Sequence, residues 1–65
     1  MTAKIIAWNV HEREYMEQTV PVQIEKVFGE SVGLAPNEVI VSVLESVGNA
    51  RKGDWINVHK SKLAI

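Results

Sequence analysis

The sequence predicts an α/β (α+β) fold: a β-α-β protomer with parallel strands, one helix on one face of the sheet, and a short third strand or hairpin arm toward the C-terminus. Three observations carry this expectation. Two segments rich in β-branched residues, Ala3 to Val10 and Glu38 to Glu45, flank a stretch whose apolar residues recur at helical spacing. A strand, helix, strand order in so short a chain calls for a right-handed crossover, which makes the two strands parallel. At 65 residues there is room for one domain, spanning 1–65, so every element must share one core.

In the first segment, AKIIAWNV, Ile6, Trp8 and Val10 fall on one pleat face and Ile5 and Ala7 on the other. Trp8 is expected in the core. His11-Glu12-Arg13-Glu14 forms a charged break, after which Met16, Val20, Ile24, Val27, Phe28 and Ser31 line up as one stripe of an amphipathic helix. Pro21 interrupts it. Either one helix runs from about Glu12 with a kink near Pro21, or the main helix starts at Pro21, where proline suits the first turn. The kinked helix is preferred because Met16 and Val20 extend the stripe upstream. Gly33 is the expected helix stop and Ala35-Pro36-Asn37 the turn beyond it. The strand EVIVSVLE follows, apolar enough on both faces to be central in a sheet. A glycine-bounded polar loop, Gly48 to Asp54, then leads into Trp55-Ile56-Asn57-Val58-His59, which alternates as a short strand.

Hydrophobic residues make up 46% of a chain with no cysteine, so disulfides cannot brace this small core and association is the remaining staple. A homo-oligomer or an obligate partner is expected. The net charge of -1 argues against a polyphosphate partner, although residues 49–65 carry Arg51, Lys52, Lys60 and Lys62 against Asp54 alone. No uncharged stretch approaches the roughly 18 apolar residues of a membrane helix, and no signal-peptide pattern opens the chain. A cytoplasmic protein with neither a nucleic-acid nor a membrane partner is the expectation.

Two histidines without cysteine give no metal-ligand spacing, so no metal site is expected. The loop GNARKG lacks the lysine placement and the following Ser or Thr of a phosphate-binding loop, and no G-x-S-x-G supports a hydrolase. Arg13 and Arg51 come from the ends of strands expected to be neighbours, where two guanidinium forks suit a small carboxylate; two solvated surface arginines are the plainer reading. Trp55, after the charged loop, is a candidate pocket wall or subunit contact.

In order and spacing of elements the chain resembles the tautomerase superfamily, of the short 4-oxalocrotonate tautomerase type. The segment Gly33-Leu34-Ala35-Pro36-Asn37-Glu38-Val39-Ile40-Val41-Ser42-Val43-Leu44-Glu45 is similar to that family's proline turn and valine-rich strand, and Asp54-Trp55 to its small residue followed by an aromatic. The resemblance implies a β-α-β protomer with a C-terminal hairpin, assembled as a hexamer or another trimer-based homo-oligomer, with room for a mixed oligomer. It implies keto-enol proton transfer on small 2-oxo acids by an amino-terminal amine, with no cofactor. This chain begins Met1-Thr2 and has no proline near its start, so the amine of Met1 or Thr2, whichever is exposed, would take the proline's role. Arg13 would grip the carboxylate, Arg51 would replace an arginine whose position is Ile40 here, and Trp55 would wall the pocket. With the proline and the strand arginine both gone, a non-catalytic carboxylate-binding or structural subunit is the alternative.

Overall fold

The computed structural model describes residues 1–30 and 32–65 and contains no α-helix among them. It is an all-β meander: β1 (Thr2–Asn9), β2 (Glu14–Lys26), β3 (Glu38–Val43), β4 (Trp55–His59), one 3-10 turn (Lys60–Lys62) and β5 (Leu63–Ala64). The strand order is β4-β3-β2-β1-β5, and each neighbouring pair is antiparallel. The expected β-α-β protomer with parallel strands, and the tautomerase-like architecture built on it, are therefore overturned. The three segments read as strands do form strands; the segment read as a helix is the longest strand of all. Ser31, the last member of the proposed stripe, lies outside the described residues.

The stripe misleads because a spacing of four satisfies both periods. Met16 and Val20 share a face of a helix, and they also share a face of a strand, where Gln18 and Val22 join them. Along β2 the residues 16, 18, 20 and 22 turn inward and 15, 17, 19 and 23 outward, which is period two. Pro21, awkward within a helix, is harmless here. It faces Thr2, and with Met1 accepting from the Val22 N–H next door, Pro21 turns its own backbone edge to β3, where its carbonyl accepts from Leu44 N–H at 2.9 Å.

β2 serves two sheets. Its first part pairs with β1 and its last part with β3, with a register shift between Ile24 and Lys26 that leaves Glu25 as the extra residue. The bend folds β1, β2 and β5 over β2, β3 and β4, a packing in which one strand turns the corner between sheets. Between them lie Ala3, Ile5, Ala7, Val20, Val22, Val39, Val41, Val43, Ala50 and Val58. The charged break after β1 is the hairpin loop itself. Asn9 Oδ1 accepts from the N–H groups of His11 and Glu12, and Arg13, at φ 56, donates its N–H to the Asn9 carbonyl. No helix is long and apolar enough to cross a membrane among the described residues.

Candidate binding cleft between strands β1 and β4

The meander leaves an open cleft of about 420 Å³ between β1 and β4. Ile5, Ala50 and Val58, all buried, give it an apolar floor. Since chain direction alternates from β1 through β4, β4 runs opposite to β1, and the cleft is polarised. Lys4, His59 and Lys62 gather at one end, by the 3-10 turn; Asn49 and Asp54 stand at the other, with Asn57 between them.

The second end is closed by the loop between β3 and β4, which is built in two tight turns. Val47 and Ala50 exchange both backbone hydrogen bonds around Gly48-Asn49, with Gly48 at φ 58 in the first central position, as a two-residue hairpin turn beginning with glycine requires. A second turn runs from Arg51 to Asp54: Asp54 N–H donates to the Arg51 carbonyl, and Asp54 Oδ2 accepts from Arg51 N–H at 2.9 Å. The loop is latched to β1 by Trp8 N–H, which donates to Asn49 Oδ1 at 3.0 Å.

At the basic end, Lys62 Nζ lies 2.7 Å from Glu17 Oε2, and that hydrogen bond is the main cause holding the Glu17 carboxyl below its ordinary value. Lys4 has no ion pair among the described residues. His59 Nδ1 accepts from Ser61 N–H at 3.1 Å and lies 2.8 Å from Ser61 Oγ, which leaves Nε2 as the ring nitrogen that can donate to a ligand. Ammonium groups and an imidazole N–H over an apolar floor suit an anion attached to an apolar body. No group of three or more His, Cys, Asp or Glu side chains converges to hold a metal ion among the described residues.

The residues singled out from the sequence are not gathered here. Met1 precedes β1 and Thr2 begins it, while Arg13 sits past its other end in the hairpin loop, roughly 25 Å away at the ordinary strand rise. Arg51 and Trp55 flank the second turn, but neither lines the cleft, and Trp55, 58% exposed, lies on the outer face beside Ser42. Trp8 is outside as well, edge-on to Tyr15 at 5.1 Å, and not in the core. Nothing local in the sequence marks Lys4, Asn49 or Asn57, and His59 stands out there only as a metal-ligand type. An antiparallel meander was the missing signal, since it alone brings residues 4–6 opposite 56–59.

No family model matches this chain. Searches of curated proteins and of solved structures likewise return no match.

Proposed function

We propose that this chain is a non-catalytic binding module whose cleft takes a small ligand with a carboxylate at one end and an apolar body. The observation that carries the reading is the polarity of the cleft: Lys4 and the remaining donor of His59 share one end, beside the Lys62–Glu17 ion pair, above a floor of Ile5, Ala50 and Val58. A carboxylate can accept from Lys4 and His59 together while its hydrocarbon part lies on the floor, so orientation and affinity come from different groups. The proton-transfer alternative needs a terminal amine and an arginine in one site, and the β1 hairpin holds Met1 and Arg13 at opposite ends.

The test is an amide NMR titration with 4-methylpentanoate, run beside the isosteric 4-methylpentan-1-ol. Saturable shifts at Lys4, Asn57 and His59 with the acid only are expected. Lys4→Gln should weaken binding roughly fivefold, equivalent to about 1 kcal/mol for a partly solvated charged hydrogen bond, while Lys52→Gln, outside the cleft, should leave it unchanged. Equal responses to acid and alcohol, or no saturable response at millimolar acid, would sink the reading.

A further inference from the structure

We infer that β4 is a self-complementary edge and that two copies of this chain pair through it, antiparallel about a twofold axis at Asn57, to make one continuous sheet. This goes beyond the carboxylate reading and does not rest on it, although both draw on β4: pairing uses the main-chain groups of Trp55, Asn57 and His59, and the ligand site uses the side chains of Lys4 and His59.

β4 ends the strand order, and among the described residues no strand pairs with its outer side. Its residues, Trp55-Ile56-Asn57-Val58-His59, include no lysine, no proline and no bulge, the devices by which natural edges are kept from pairing. The direction of its backbone groups follows from the flanking bonds. Val43 N–H donates to the Asp54 carbonyl and Lys60 N–H to the Asn37 carbonyl, so 54, 56, 58 and 60 bond inward to β3. The N–H and C=O groups of Trp55, Asn57 and His59 then point to the free edge.

A twofold antiparallel pairing must set residues of that outward set against one another, which an axis on any β4 residue does. Centred on Asn57, it sets Trp55 against His59 of the partner subunit on the exposed face, and each facing pair of outward residues exchanges two main-chain hydrogen bonds. The same register sets Asp54 against Lys60 of the partner subunit, and the reverse, both exposed, so the ends of the paired strands carry opposite charges. Centring on Trp55, Ile56 or His59 produces no such match, and centring on Val58 would set Asp54 against Lys62 of the partner subunit, which is already held by Glu17. Farther out, Lys52 would face Lys62 of the partner subunit, but Lys62 is drawn aside to Glu17 and both positions lie beyond the strand. The closed twofold makes a dimer and not the hexamer that the family resemblance implied.

The test is sedimentation equilibrium of the intact chain with three variants. The wild type should show a dimer of about twice 7.3 kDa at high concentration. Asn57→Pro removes an N–H that faces outward and none that bonds to β3, so it should give a folded monomer. Lys60→Glu opposes two acids and Asp54→Lys opposes two lysines; each alone should lose the dimer, and an equimolar mixture should recover it as a heterodimer, because both contacts then join opposite charges. A wild type that stays monomeric at millimolar concentration overturns the proposal, as does a folded Asn57→Pro or Lys60→Glu variant that dimerises as the wild type does. Should Asn57→Pro fail to fold, the charge-swapped mixture decides by itself.

Discussion

Two glycines in the loop between β3 and β4 look alike in sequence and differ in what surrounds them. Gly48 and Gly53 both have positive φ, at 58 and 94, so alanine is strained at either. Only Gly48 is also crowded, since a Cβ there would run into the backbone carbonyl of Trp8, whereas the space at Gly53 is open. Gly53→Ala should therefore cost about 1 kcal/mol, the backbone term alone. Gly48→Ala should cost at least about 2 kcal/mol, because the loop must retreat from β1 and the bond from Trp8 N–H to Asn49 is lost with it. Urea unfolding of the two variants checks the ordering, and equal losses would show that the loop is not latched to β1. Arg13 carries a similar lesson. From the sequence it is a cation available for a ligand, whereas in the fold it is the left-handed residue that closes a hairpin.

At the scale of elements, β2 has the most to explain, because it bends from one sheet into the other at Glu25. The bulged residue is held by side chains. Gln23 Nε2 donates to Glu25 Oε1 at 2.7 Å and Ser42 Oγ donates to the same oxygen at 2.8 Å. These bonds, the one from Gln23 first, place the Glu25 carboxyl below its ordinary value of 4.5, as Lys62 does for Glu17 on the other half of the strand. A carboxyl lowered in the folded state contributes stability that is present above its unfolded value and lost as pH falls through its folded value. The protein should thus lose stability as pH drops below about 4.5, through the lowered values of Glu17 and Glu25. Glu25→Gln should flatten that dependence, measured as the difference in urea midpoint between roughly pH 6 and pH 3. An unchanged slope would mean that the corner of β2 is not held by its carboxylate. The strand character of β2 was only half legible. Val20, Val22 and Ile24 are β-branched, and Pro21 is costly within a helix, but the spacing of four between Met16, Val20 and Ile24 fits either period. What resolves it is the β1 hairpin, whose pairing supplies hydrogen bonds along β2 that local propensity does not reveal.

Across the whole molecule, size is distributed inversely. The largest fully buried side chains are valines, while Trp8, Tyr15, Phe28 and Trp55 are all exposed. A core of alanine and valine is thin for a chain of this length, and the surface holds the residues that contribute most area when covered. Association should therefore show in the tryptophans. In the edge dimer Trp55 gains His59 of the partner subunit as a cross-strand neighbour, so acrylamide quenching of tryptophan fluorescence should weaken as protein concentration rises. In Trp55→Phe, where only Trp8 reports, quenching should be independent of concentration. A concentration dependence that persists in that variant would place the contact on the Trp8 and Tyr15 face instead.

By itself the sequence determined the local structure that neighbouring residues decide: extended segments around Ile5, Val41 and Val58, a break after Val10, a turn at Pro36 and a polar loop from Gly48, in 65 cysteine-free residues too few for a generous core. Those features follow from β-branching, from proline and glycine backbone limits and from composition. Only the tertiary structure decided that residues 14–26 are a strand, that all strands pair antiparallel, and that Lys4 and His59 line one cleft. The reason is that strand pairing joins residues far apart in the chain. A pattern repeating every four positions leaves helix and strand nearly equal locally, and the hydrogen bonds that separate them come from β1 and β3.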